Sequence, residues 1–141
     1  MGEQAMIRPM TMADYDEVIA LWQGVEGVGL SDADSREKID GFLGRNPHMS
    51  FVAEASGELV GAVLCGHDGR RGYLHHLAVH RARRGQGIAR SLAESCFDRL
   101  QGEGISRCHV FVYPDNIQGM NFWMRVGFFK RDDLCLFSRD L

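Results

Sequence analysis

Nowhere does an uninterrupted apolar stretch approach the length of about eighteen residues that a helical membrane span requires, and the opening "MGEQAMIRPM" lacks the basic and apolar regions of a secretory signal. A cytoplasmic protein without a membrane partner is therefore expected. The four cysteines, Cys65, Cys96, Cys108 and Cys135, contain no C-x-x-C pair, which excludes a zinc ribbon and a dithiol redox motif and leaves buried free thiols as the expectation. There is no internal repeat, low-complexity tract or linker to divide the chain. With 141 residues, 45% of them hydrophobic and 25% charged, one globular domain spanning 1–141 is expected.

A strong net charge is also missing, the total being −3. That sum hides an asymmetry, because residues 67–90 hold Arg70, Arg71, Arg81, Arg83, Arg84 and Arg90 against the single Asp68. A chain acidic everywhere else is a poor non-specific ligand for nucleic acid, which is not expected as a partner. A local basic cluster can still hold one small polyanion.

Hydrophobic spacing gives the elements. "AMIRPM" reads as a strand, and "TMADYDEVIALWQ" as a helix that Thr11 can cap, with Asp14 three residues on and Tyr15, Val18, Ile19 and Trp22 at helical spacing. After the loop "GVEGVGLSDAD" a weaker helix, "SREKIDGFLGRN", turns Ile39, Phe42 and Leu43 inward. "MSFVAEA" and "ELVGAVLCGHD" read as strands joined at Ser56-Gly57, a dipeptide suited to a tight hairpin. "YLHHLAV" is a further strand, and "GIARSLAESCFDRLQGEG" a long helix with Ile88, Leu92, Ala93 or Cys96, and Leu100 on one face, stopped by Gly102 and Gly104. "SRCHVFVY" supplies a strand, "NIQGMNFWMRVG" a helix ending at Gly127, and "FFKRDDLCLFSRDL" one or two closing strands. This order predicts an α/β fold in which a single mixed sheet carries helices on both faces.

The stretch "RRGQGIA" lies where the strand "LHHLAV" passes into the long helix. Backbone N–H groups at a helix N-terminus, with no side chain at Gly85 or Gly87 to obstruct approach, favour an anion, and Arg83 and Arg84 add full charges. There is no G-K-[ST] for a P-loop, and Arg90 stands where a G-x-G-x-x-G fingerprint needs its third glycine. A different phosphate ligand is needed.

The window Ala82-Arg83-Arg84-Gly85-Gln86-Gly87 resembles the acetyl-CoA signature [QR]-x-x-G-x-[GA] of the GNAT superfamily of N-acetyltransferases, departing from it at Ala82. Downstream, "NIQGMNFWMRVGFF" is similar to the family pattern N-x-x-[AG]-x-x-[LF]-[YW]-x-x-x-G-[FY], with Asn116, Gly119, Phe122, Trp123, Gly127 and Phe128 at the matching positions. The similarity covers nearly the whole chain and looks nearest to the small bacterial YpeA-type acetyltransferases.

The resemblance implies the GNAT acyl-CoA N-acyltransferase fold, with acetyl-CoA as co-substrate and no metal. Amides 84–89 would then bind pyrophosphate, so that Arg83, Arg84, Gly85, Gln86, Gly87, Ile88 and Ala89 form the cofactor site. Leu77, Ala78 and Val79 would contact the pantetheine arm, which in the family lies between splayed fourth and fifth strands, and Asn116 and Phe122 would lie on its far side. Trp22 and loop 25–34 would wall the acceptor mouth, where Asp32 and Asp34 could attract a cationic amine. The partners implied are acetyl-CoA and an amine of a small metabolite or peptide, and a homodimer stays open.

Acetyl transfer needs a neutral amine, donors for the oxyanion and an exit for the thiolate. The backbone N–H of Val79 is the expected oxyanion donor. Where many family members carry a tyrosine acid, position 123 is Trp123, which borders the thioester and has no acidic proton; the thiol itself titrates near about 8.5, so its anion can leave unaided. Deprotonating a lysine-like amine at pH 7 costs about 4.6 kcal/mol, so a base matters more than an acid. His75 and His76 are catalytic candidates, expected on opposite faces of their strand. His109 and Tyr113, together with His67 or Asp68 at the preceding turn, are further candidates at the substrate side, and Phe111 replaces the glutamate of related α-amine acetyltransferases. His76 and His80 are not expected to bind metal, because the i, i+4 spacing shares a face only in a helix. The competing expectation is a GNAT module that binds acyl-CoA without turnover.

Overall fold

The computed structural model describes residues 4–141, which form two compact units divided between Phe111 and Val112. In the first unit, strands β1 (Met6–Pro9), β2 (Phe51–Ala55), β3 (Glu58–His67), β4 (Gly72–Val79) and β5 (Cys108–Val110) form one sheet in that order. The first three pairings are antiparallel and β4–β5 is parallel, so the sheet is mixed as expected. Helices α1 (Tyr15–Gln23), α2 (Arg36–Arg45) and α3 (Ile88–Gly102) belong to this unit.

Local chemistry explains the entry points. Asp14 accepts from the Thr11 N–H at 2.9 Å, satisfying one amide at the start of the first helical turn. The same carboxylate takes both arms of Arg8, at 2.7 and 2.9 Å, and Arg8 also reaches Glu54 on the neighbouring strand. Ser35 caps α2 through the Lys38 N–H at 3.3 Å. At the β2–β3 hairpin Ser56 and Gly57 both adopt left-handed φ, 54° and 77°, as a two-residue turn of matching twist requires.

Alternation along β3 separates the two faces. Gly61 lies beneath α3, so close that a Cβ there would stand 3.0 Å from Leu92 and 3.3 Å from Ile88. Ala62 and Leu64 face the other way and join Val18, Trp22, Ile39, Val52 and Ala78 in a core under α1 and α2. Every residue expected inward on α3, including both Ala93 and Cys96, is buried.

The second unit holds α4 (Ile117–Arg125). Asn116 caps it, accepting from the Gly119 N–H at 3.0 Å. Gly127, at φ 106°, ends it in a Schellman arrangement, with Phe128 N–H bonded to Trp123 O at 2.9 Å and Gly127 N–H to Met124 O at 3.1 Å.

Three expectations need correction. The strand read over "SRCHVFVY" shrinks to Cys108–Val110, because only Gly72–Leu74 of β4 are in register to pair with it. The closing strands are not formed: residues 128–141 enter no ladder, and Leu134, Leu136 and Phe137 are 60%, 72% and 90% exposed. Extended propensity alone does not make a strand without a backbone partner. The thiols also divide, since Cys65 and Cys96 are buried, Cys108 is half-buried and Cys135 is exposed on that unpaired segment.

Candidate functional site

The path from β4 into α3 is a glycine turn that leaves backbone amides open at a helix N-terminus. His80 caps the short turn Arg81–Arg83, its Nδ1 accepting from the Ala82 N–H at 3.1 Å. Gly85 and Gly87 both stand at φ 80°, a conformation costing other residues about 1 kcal/mol or more. Among the described residues, and apart from its own chain neighbours, no heavy atom lies within 4 Å of where a Cβ on either would sit. The first intrahelical bond of α3 runs from Ser91 N–H to Gly87 O at 3.0 Å, so the amides of Ile88, Ala89 and Arg90 precede it at the positive end of a 15-residue helix. Gln4, Ala5, Ile7, Gln86, Gly87, Ile88 and Ser91 line a shallow pocket against this turn.

The basic segment is not one patch. Arg70 and Arg71 close the β3–β4 turn, whereas Arg81, Arg83, Arg84 and Arg90 follow the other end of β4. At about 3.3 Å per residue, an eight-residue strand holds the two groups roughly 23 Å apart. Arg84 bends back and its Nε donates to Val79 O at 3.2 Å, while Arg90 pairs with Glu94 at 3.0 Å.

Register decides where the Val79 amide points. His80 N–H bonds Val60 O at 2.7 Å, which makes the pairs 60–80 and 62–78 the hydrogen-bonded ones of the β3–β4 ladder. Val79, opposite Gly61, therefore directs its N–H away from β3, to the side on which β5 lies. Because β5 pairs only with residues 72–74, the rest of that β4 edge, through Leu77, Ala78 and Val79, pairs with no strand among the described residues. Ala78 and Val79 side chains are buried, so the edge offers mainly its backbone.

Between these stretches β4 bulges: Leu64 pairs with His75 and Ala62 with Ala78, leaving His76 and Leu77 opposite Val63 alone. His76 adopts φ 56°, left-handed and uncommon for a residue with a side chain. The bulge overturns the expectation that His75 and His76 occupy opposite faces. Both imidazoles lie on the α1/α2 side, with centroids 6.5 Å apart. The His75 ring stands 6.2 Å from Phe42 of α2, and the His76 ring packs edge-on against Trp22 of α1 at 5.0 Å. Burial first, and then the neighbouring His76, lowers the His75 pKa from its ordinary value, the charge of Asp34 acting weakly against this.

His76 Nε2 lies 2.9 Å from Oδ1 of Asp34, a buried carboxylate in the turn Asp32–Asp34 that precedes α2. The other oxygen of Asp34 accepts from the Ser31 N–H at 3.1 Å, and its carbonyl accepts from the Tyr15 hydroxyl at 2.6 Å. Asp34 is expected from sequence either to attract a cationic amine or simply to be solvated on a loop, and neither reading contains this partnership. Ser31-x-x-Asp34 signals a capped turn, but nothing in the spacing links it to a histidine 42 residues away.

The remaining candidates are dispersed. Trp22, expected at the acceptor wall, has no exposed surface; it sits in the core, and among the described residues its indole N–H is the buried side-chain polar group without a hydrogen-bond partner. His67 and Asp68 belong to the β3–β4 turn, far from Val79. His67 Nδ1 accepts from Gly69 N–H at 3.0 Å, and Asp68 Oδ1 from the N–H groups of Arg70 and Arg71, both at 2.8 Å, bonds that hold the carboxyl below its ordinary pKa. His109 lies beside Tyr73, at 5.6 Å between rings, and Phe111, just past β5, stacks near His75 at 6.3 Å, completing an aromatic row. Tyr113, Asn116, Phe122 and Trp123 lie in the second unit. There Trp123 packs edge-on against Phe122 and Phe128, each at 5.0 Å. Among the described residues no group of three metal-ligating side chains occurs and no helix is long and apolar enough to cross a membrane.

The fold has many solved counterparts. PaiA N-acetyltransferase from Thermoplasma acidophilum, determined in complex with coenzyme A, superposes with TM-score 0.76 at 18% identity, covering 92% of each chain. Ard1 from Thermoplasma volcanium superposes with TM-score 0.78 at 17% identity over 89% of this chain and 82% of that one. In sequence, the acetyltransferase YE1169 of Yersinia enterocolitica is 31% identical over 133 residues, 94% of each chain, and SG1711 of Sodalis glossinidius is 30% identical over 135 residues, 96% of this chain and 94% of its own. Residues 15–128 match the model of the acetyltransferase (GNAT) family. The glycine turn, the interrupted sheet edge and these matches agree: the chain belongs to the GNAT family of acetyltransferases.

Proposed function

We propose that this acetyltransferase transfers the acetyl group of acetyl-CoA to a primary amine of a small metabolite or peptide, by direct attack within a ternary complex. The observation that carries the reading is the β4 edge: past Leu74 it lacks a neighbouring strand, and it continues directly into the Gly85–Gly87 turn at the head of α3. An extended pantetheine arm can hydrogen-bond such an edge as an added strand would, while its pyrophosphate meets the amides of Ile88, Ala89 and Arg90 and the charges of Arg83 and Arg84. The Val79 N–H, directed to that side, would donate to the thioester oxygen as negative charge develops on it.

The amine attacks the carbonyl carbon, the C–S bond breaks, and the thiol of CoA leaves. Trp123 supplies no proton to the sulfur, and the thiol's own acidity makes a dedicated acid unnecessary near neutral pH. The amine must be neutral when it attacks, and β4 carries two imidazoles to the α1/α2 face at the same level. A second reading, a module that binds acyl-CoA without turnover, draws on Trp123 standing where the family's tyrosine acid would.

Free-thiol release from acetyl-CoA, measured across a panel of amino peptides, aminosugars and diamines, separates the two. Amine-dependent release is the expected result. Saturable binding of acetyl-CoA with no release for any amine would replace the enzyme by the module.

A further inference from the structure

We propose that Asp34 and His76 act as a dyad in which His76 is the general base for the acceptor amine and Asp34 is its positioning residue. This rests on the acetyl-transfer reading above and names the residues that would prepare the amine. The dyad spans the bulge of β4 and the turn before α2, elements that share no local sequence signal.

Four observations support it. His76 holds a left-handed backbone conformation inside a strand, and such strain persists where surrounding contacts over-determine it. The bulge that produces it re-aims the ring onto the α1/α2 face. Asp34 is anchored independently of His76, through Ser31 N–H at one oxygen and the Tyr15 hydroxyl at its carbonyl, so it does not swing with its partner. The His76 side chain keeps 20% of its surface exposed, whereas Asp34 keeps 9%, so the imidazole is the member that solvent or substrate can reach.

The geometry sets the proton's path. An ionised Asp34 only accepts, so the contact at 2.9 Å fixes the proton of neutral His76 on Nε2. Nδ1, which takes no hydrogen bond from the described residues, is the basic nitrogen. It removes one proton from the acceptor's ammonium group, directly or through a water, and the imidazolium formed is stabilised by Asp34. The neutral amine forms the new C–N bond, and the second N–H proton leaves with the departing sulfur as CoA thiol. Nδ1 then returns its proton to solvent. Val79, three residues along a β4 shortened by the bulge, lies within about 10 Å at no more than about 3.3 Å per residue, a distance spanned by the imidazole, an amine or water, and the thioester. The charged and titratable groups around the dyad are His75 on β4, Tyr15 on α1, and Arg36 on α2, which lies 4.7 Å over the Tyr15 ring and pairs with Asp16.

The test uses the full chain and its two least disruptive variants. H76N keeps a residue that tolerates left-handed φ, and D34N keeps an acceptor for Ser31 N–H. Thiol release from acetyl-CoA with the best amine of the panel is followed from pH 6 to 10, and the tautomer of His76 is read from imidazole nitrogen NMR. H76N should lose about 10²-fold in kcat at pH 7 with KM for acetyl-CoA unchanged, and recover at pH 10, where the amine deprotonates unaided. D34N should lose about tenfold in kcat with KM for acetyl-CoA unchanged, and release the Nε2–H tautomer seen in the wild type. A wild-type pH profile in H76N overturns the base assignment, and an unchanged tautomer or an unchanged kcat in D34N overturns the role of Asp34. A wild type that binds acetyl-CoA but releases thiol with no amine overturns the acetyl-transfer reading and the dyad with it, a result distinguishable from the other two.

Discussion

Gly85→Glu places a carboxylate where the pyrophosphate of acetyl-CoA is proposed to bind. The apo protein should tolerate it. Among the described residues, chain neighbours apart, no heavy atom lies within 4 Å of the new Cβ, so the cost is the left-handed backbone, about 1 kcal/mol, partly offset by about 0.3–1 kcal/mol from an anion at the head of α3. For a chain of this size that lowers Tm by no more than about 4 °C. Ligand binding should respond far more. At a concentration of 100 Kd, acetyl-CoA stabilises the wild type by about 2.7 kcal/mol, or roughly 10 °C in a thermal melt, and the variant should lose nearly all of that shift. Gly57→Ala is the control, since it imposes the same strain at φ 77° with equal free space, at the β2–β3 hairpin. It should melt lower yet keep the full ligand shift. Equal stabilisation of wild type and Gly85→Glu by acetyl-CoA would refute the assignment of the turn.

Other consequences concern charge and thiols. Arg8→Met strands the buried Asp14 carboxylate and should destabilise the fold by about 1–3 kcal/mol in urea unfolding at pH 7, less than a fully buried pair because Arg8 is 33% exposed. The hydrogen bond from Arg8 holds the Asp14 carboxyl below its ordinary pKa, so its stabilisation is complete above about pH 4 and disappears as pH falls through the lowered folded value; Arg8→Met should flatten that acid limb. The His75 pKa is lowered in the folded state, which makes the unfolded chain bind more protons below about pH 6.5, so stability should fall from pH 7 to 5, and His75→Gln should lessen the loss in paired denaturant titrations. With a disulfide-exchange reagent, Cys135 should react at once and Cys108 slowly, its thiol pushed up to about 11 by burial, while Cys65 and Cys96 wait for unfolding.

The elements most legible from sequence were those whose signal is local. Helix α3 follows from its own 3.6-residue spacing and terminal glycines, and the β2–β3 hairpin follows from Ser56-Gly57. The closing strands failed for the complementary reason: "LCLFS" has strand-like composition, but a strand is completed by a partner that no window of sequence contains. His75 and His76 failed similarly, because period-two alternation holds only while the ladder is regular. Nothing in "YLHHLAV" announces that Val63 will face two residues.

What the sequence by itself determined is the family, since glycine spacing at the head of a helix and the downstream asparagine motif are patterns of adjacent residues. The tertiary structure alone decided which way the Val79 amide points, that both imidazoles share one face, and that Asp34 meets His76. Each depends on register or on contacts between distant segments, and those are settled only when the strands pair and the helices pack over them.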